Sequence, residues 1–159
     1  MSTQPEPTPM YTSALAAVGE GPPMRAFTDR DHPNALKLKA AHDAFKAGDL
    51  HALFGLMTPD LVWHMPGNNA LSGNFVGREA IMGSFAQLQA HVDAYWAWPL
   101  DYFGSDNHVV LVARVQASRG DKRLDVLECL LWRVDGEGKF AEVWHMALDE
   151  KAWDAFFAI

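Results

Sequence analysis

A single cysteine, Cys129, among 159 residues excludes an internal disulfide and any CxxC metal or redox site. It sits in the apolar run Val126-Leu127-Glu128-Cys129-Leu130-Leu131-Trp132, where a small buried hydrophobe is the expected role. No apolar run approaches the ~18 residues of a membrane span, and the opening MSTQPEPTPM has neither the basic nor the apolar segment of a secretory signal. A soluble, cytoplasmic protein is therefore expected. Lysine and arginine are scarce, 13 against 20 aspartates and glutamates for a net charge of −7, and no basic block offsets the deficit. Nucleic acid and anionic membrane are thus poor partners. The seven histidines form no HxH, HExxH or adjacent His-carboxylate cluster, so no metal or other cofactor is expected.

What is present is apolar and aromatic material: 49% hydrophobic residues, six tryptophans and nine phenylalanines, more than enough for one core and for an apolar pocket or interface. Residues 1–33 are broken by Pro5, Pro7, Pro9, Pro22, Pro23 and Pro33 and read as an irregular extension, with YTSALAAVGE able to form a short helical turn. Residues 34–159 read as a single domain. Leu36, Ala40, Ala41 and Phe45 recur at helical spacing, with Asn34 as the expected cap and Gly48 as the stop. Asp49 opens a second short helix over 50–57, with Leu53, Phe54 and Met57 on one face, and LVWH then reads as a short strand.

A third helix opens at Gly77 with the stripe Ile81, Phe85, Leu88 and Val92. Four strands follow, near 94–103, 108–118, 123–134 and 139–147, separated by turns rich in Gly, Asn and Asp, and a last helix covers 150–157. Helices first and hairpins after predict an α+β architecture, a curved antiparallel sheet with helices on its concave face and a hollow between the two layers.

FKAGDLHAL at the helix corner, PDLVWHMPGNNALSGNFVGREAI through the first strand into the third helix, and LLWRVDGEGKFAEVWHMALDEKAWDAF at the end resemble the NTF2-like superfamily, within it the SnoaL-like, ketosteroid-isomerase-related branch. The resemblance covers roughly residues 34–159. It implies a cone formed by the bent sheet, a blind, largely apolar pocket, and a homodimer through the outer sheet face. It also implies a site: aligning on Gly67 puts His64 where the isomerases carry their catalytic base. The isomerase oxyanion-hole tyrosine is matched by Ala41 and its second acid by Leu130, so classical ketosteroid isomerisation is not expected. Asp149 lies near an aspartate of the SnoaL-type cyclases but is better placed to cap the last helix.

His64 can exchange protons near neutrality. His145 in EVWHMAL alternates with Val143 and Ala147 on the face the alignment turns inward, where it could orient a ligand carbonyl. Arg114 and Glu128 each interrupt an apolar strand; turned inward, they would pair and hold a polar substrate end, and turned outward they would be a surface pair. Trp132 shares the parity of Glu128 and could cap the pocket, with Val143 and Phe54 completing the expected lining. Trp63 and Trp144 alternate away from the histidines, toward helices or a dimer face. The expected function is cofactor-free acid/base catalysis, of isomerase, cyclase or hydrolase type, on a small apolar or carbonyl-containing molecule, with His64, His145 and Glu128 as catalytic candidates. The alternatives are a non-catalytic small-molecule binder and a dimeric interaction domain.

Overall fold

The computed structural model describes residues 31–159. The extension up to residue 30, including YTSALAAVGE, lies outside the described residues. The chain runs α1 (Pro33–Lys46), α2 (Leu50–Gly55), β1 (Met57–Met65), β2 (Gly73–Val76), α3 (Gly77–Ala90), β3 (Ala94–Gly104), β4 (His108–Arg119), β5 (Lys122–Val134), β6 (Phe140–Ala147) and α4 (Glu150–Phe156).

Side-chain caps start α1, α2 and α4, one of them unexpectedly, while α3 starts without one. The cap of α1 is the His32 ring, whose Nδ1 accepts from the Asn34 amide at 3.2 Å, while the Asn34 side chain donates to the carbonyls of Ser105 and Asp106 at 3.0 and 3.3 Å. Asn34 thus ties the helix start to the β3–β4 turn instead of capping it. Gly48 takes the left-handed φ of +100° that ends the helix corner. Asp49 caps α2 and Asp149 caps α4, the latter accepting from the Ala152 amide at 2.9 Å, as expected. The second helix stops at Gly55, and Met57 already belongs to a nine-residue strand, longer than LVWH alone suggested.

One six-stranded sheet has the order β2-β1-β6-β5-β4-β3. Hairpins make β3 through β6 antiparallel, but β1 pairs with β6 in parallel. The expected all-antiparallel sheet is therefore mixed. Hairpin logic fixes direction only between strands joined by tight turns, whereas β1 and β6 are separated by α3 and four strands. The short strand β2, read from sequence as part of a Gly-rich turn, covers the far edge of β1.

Along β5 the burial alternates strictly, with Leu124, Val126, Glu128, Leu130, Trp132 and Val134 on the inner face. Two apolar groups fill that face. One centres on Leu38, Leu61, Ile81, Val109, Trp132, Phe140 and Val143, the other on Val115, Val126, Trp153, Phe156 and Phe157. Helix α1 packs on α2, β3 and β4, α3 on β1 and β2, and α4 on β5 and β6. No helix among the described residues is long and apolar enough to cross a membrane.

Candidate functional site

Between the inner sheet face, α3 and α4 lies a cavity of about 530 Å³, a size suited to a small organic molecule. Strand alternation delivers its two strongest polar groups. Glu128 of β5 and His145 of β6 both point inward, and the register that pairs Leu130 with His145 makes them diagonal neighbours across two adjacent strands. Their side chains meet, with His145 Nε2 2.6 Å from Glu128 Oε2, each only 7% exposed. The imidazole lies against the Trp153 indole, ring centroids 4.8 Å apart. Trp63, Phe85, Leu88 and Leu130 form much of the remaining wall, and Trp63 meets Phe85 edge to face at 5.4 Å.

With a carboxylate as acceptor, Nε2 carries the proton and Nδ1 is left as an acceptor. Among the described residues Nδ1 has no hydrogen-bond partner and is not sealed within protein atoms. A histidine so held can take a proton from a bound molecule, because the facing carboxylate stabilises the imidazolium that results. Tyr95 of β3 lines the same cavity. Burial, and after it the charge of Glu128, hold its phenol well above its ordinary range. Nothing in the local pattern singles out Tyr95; its pairing with Ala117, a buried position on β4, puts it on the inner face.

His64 is not in this cavity. Leu61 and Trp63 take the buried, inward positions of β1, so His64 falls on the outer face, opposite Trp144 in the parallel register with β6. The inward place that the alignment on Gly67 implies for His64 is taken by Trp63, because neighbours along a strand take opposite faces. His64 stacks on Trp144, centroids 5.2 Å apart and planes 14° from parallel. Its Nε2 meets Glu142 at 2.7 Å and its Nδ1 meets Asn74 at 2.8 Å, while Arg133 donates to the other Glu142 oxygen at 3.0 Å. The Glu142 contact raises the pKa of His64, and His64 with Arg133 lowers that of Glu142. His64, Asn74 and Trp144, with His108 and Met146, border a depression on the outer face.

Arg114 also faces outward. Its neighbours Ala113 and Val115 take the inner positions, and its guanidinium forms a two-pronged pair with Asp125 at 2.8 and 2.6 Å, joined by Gln116. This holds the Asp125 carboxyl down at about 2. The Arg114–Glu128 pair that two inward side chains would make does not form, because the two positions have opposite parity on strands in the register Arg114↔Leu127. Trp132 and Val143 do point inward but are fully buried beneath the cavity instead of lining it, and Trp132 meets Trp63 and Phe140 edge to face. Phe54 packs on the core, and the Arg78 guanidinium sits 4.7 Å above its ring. Cys129 is half-buried on the outer face, its thiol pushed up by burial and by the charge of Glu128. The described residues contain no group of three His, Cys, Asp or Glu side chains able to hold a metal ion.

The loop Asn68–Asn69 forms a rim tied to the last helix. Asp154 accepts from the Asn68 amide at 3.1 Å and from the Asn69 side chain at 2.6 Å, and Asn69 in turn accepts from the Leu71 amide at 2.8 Å. Leu71 and Trp153, neighbours of these contacts, both line the cavity.

Residues 38–143 match the SnoaL-like domain family. An uncharacterized protein of Mycobacterium tuberculosis is 32% identical over 117 residues, which span 72% of this chain and 88% of that protein. Among solved structures, Bal32a from a soil-derived mobile gene cassette is 32% identical with a TM-score of 0.70, covering 78% of this chain and 95% of that one. TerC, co-crystallized with polyporic acid, is 18% identical with a TM-score of 0.68, covering 79% and 98%.

Proposed function

From the premise that the chain belongs to the SnoaL-like family and has the NTF2-like fold, we propose that it is an acid/base enzyme acting on a small, largely apolar molecule held in the inner cavity. The base in this reading is Nδ1 of His145, oriented and charge-compensated by Glu128. One observation carries it: a 2.6 Å histidine–carboxylate contact buried at the wall of an aromatic-lined cavity of about 530 Å³. A buried polar pair in an apolar wall costs desolvation, and a ring nitrogen left without a protein partner is where such a pair is useful. The chemistry is removal and return of a proton at an acidic C–H or O–H, the step shared by isomerisations and cyclisations. TerC supports the ligand half of the reading, since that relative in fold was co-crystallized with an organic molecule, polyporic acid.

The test is hydrogen exchange. Neutral cyclic ketones such as 2-tetralone are incubated with the protein in D2O and their α-deuterium content is followed by mass spectrometry. Wild type should exceed the buffer background and His145→Gln should not. A wild type indistinguishable from buffer across the panel sinks the proposal.

A second reading, a binding protein without turnover, is favoured by two positions. Ala41 is buried and Leu130 presents only an apolar side chain to the cavity, so the donors expected at these positions from the isomerases are missing. A ligand bound tightly and recovered undeuterated would select it. We propose as well that the outer sheet face pairs with a second copy of the chain. Trp96 and Trp98 stand there 62% and 42% exposed, stacked 6.2 Å apart, more aromatic surface than a monomer usually leaves in water.

A further inference from the structure

The depression on the outer sheet face has a volume of about 500 Å³ and lies where β4 begins. Leu131, Trp144 and Met146 give it an apolar floor, with His64 and His108 at its border. Among the described residues no aspartate or glutamate lines it, although the chain has 20 of these against 13 lysines and arginines. Strand register sets Arg133 directly opposite His108 across β4 and β5, and Glu142 opposite Arg133 across β5 and β6. Both oxygens of Glu142 are taken, Oε1 by His64 Nε2 at 2.7 Å and Oε2 by Arg133 Nε at 3.0 Å. His64 Nδ1 meets Asn74 Oδ1 at 2.8 Å, so each ring nitrogen faces an acceptor, the arrangement that suits a doubly protonated imidazolium. Two cations thus share one carboxylate, and a net positive charge remains beside the apolar floor. The terminal nitrogens of Arg133 and the ring of His108 have no hydrogen-bond partner among the described residues.

We infer that this depression is a second ligand site, separate from the inner cavity, for a small carboxylate with an apolar body of one or two rings. The carboxylate accepts from the free end of the Arg133 guanidinium and from the His108 ring, and the body lies over Leu131, Trp144 and Met146. The parts are held in advance of binding. Glu142 fixes the guanidinium at Nε, and a planar fork anchored at one corner presents its remaining N–H groups with little further ordering. Stacking on the His64 ring, with centroids 5.2 Å apart, likewise fixes the Trp144 indole. An aromatic body gains from both the indole and the Met146 thioether. A neutral ligand of the same shape would keep the apolar contacts and lose the charge-assisted hydrogen bonds. Trp96 and Trp98, proposed above for pairing of two copies, stand opposite Gln116 and Arg114, well past His108 along β4. The depression is therefore built from other residues of the face, and the acid/base reading of the inner cavity has no part in it.

The test follows the Met146 methyl by NMR of protein labelled with 13C-methyl methionine, the signal being assigned from its loss in Met146→Leu. Met146 borders the depression and not the inner cavity, so its methyl reports on this site alone. The probes are 2-naphthoate and 2-naphthamide, alike in shape and differing in charge. On wild type, 2-naphthoate should move the signal to saturation, and 2-naphthamide should bind at least about tenfold more weakly. His108→Glu places the protein's own carboxylate opposite Arg133, where the ligand's would sit. It should weaken 2-naphthoate about tenfold or more and leave 2-naphthamide unchanged, with the other methionine signals in place to show that the fold is kept. Arg133→Gln should weaken 2-naphthoate to a similar extent. A Met146 signal unmoved by 2-naphthoate overturns the site, and equal affinity for the two probes on wild type overturns its selection for an anion, a comparison that needs no variant. Undiminished 2-naphthoate binding in both His108→Glu and Arg133→Gln overturns the placing of the carboxylate. A signal that moves only in Trp98→Lys combined with Leu127→Lys overturns the inference in favour of a second copy filling the depression.

Discussion

Glu128 and His145 stand on neighbouring antiparallel strands, one diagonal step apart, and meet at 2.6 Å in the wall of the inner cavity. The contact fixes which ring nitrogen faces the carboxylate and which remains for a ligand, so the carboxylate should be felt in catalysis as well as in folding. Glu128→Gln keeps the shape but loses the negative charge that stabilises the imidazolium. Ketone α-exchange should fall by about 10²-fold or more while naphthalene affinity holds, measured by mass spectrometry and fluorescence on the same preparation. Unchanged exchange would mean that His145 works without its partner.

On the opposite face, His64 and Glu142 form a separate pair whose value depends on pH in both directions. The pKa of His64 is raised above 6.5, so its share of stability is complete below that value and is lost as pH rises through the folded-state pKa. The pKa of Glu142 is lowered below 4.5, so its share is complete above that value and is lost as pH falls through the folded-state pKa. The stability gap between wild type and His64→Ala should therefore be widest between about pH 4.5 and 6.5 and narrow on either side, read by urea unfolding across pH. Cavity ligand affinity should stay within about twofold, since His64 lies outside the cavity.

His42 predicts the opposite sign for a histidine. It contacts the Tyr102 hydroxyl at 3.0 Å in a half-buried position, and burial, then Lys46, hold its pKa down at about 4. The unfolded chain binds this proton near 6.5 and the folded chain only near 4, so stability present above pH 6.5 drains away between those values on acidification. The loss is on the order of 2–3 kcal/mol. His42→Phe should be less stable near neutrality, because Tyr102 loses its partner, yet show a flatter acid limb in thermal denaturation at stepped pH. An unaltered acid limb would place the acid sensitivity elsewhere.

For the outer face, sedimentation velocity should give twice the chain mass for wild type. Trp98→Lys combined with Leu127→Lys, both at exposed positions there, should give the single-chain mass with an unchanged circular dichroism spectrum. A monomeric wild type at tens of micromolar would rule out the proposed pairing.

The chain carries its own element plan. Helical spacing before residue 90, turn residues at regular intervals after it, and caps at Asp49 and Asp149 follow from local chemistry, and the observed elements depart from the expected ones mostly at their ends. The pairing of inward Glu128 and His145 was half legible, since strict alternation in β5 and the alternation of Val143, Trp144 and His145 in β6 give each its face. What local pattern could not settle was the face of β1 and the partner of Arg114. His64 and Trp63 are adjacent residues, and either could have been turned inward by a strand read in isolation. Docking of α3 against β1 and the parallel register with β6 decided for the indole, because its apolar area gains more from burial than an imidazole that must keep its hydrogen bonds. Tyr95 became part of the site in the same way, through the pairing of β3 with β4 and the packing that left a cavity in front of it. Periods along a chain assign faces; which faces meet, and what they enclose, is set by contacts between residues far apart in sequence.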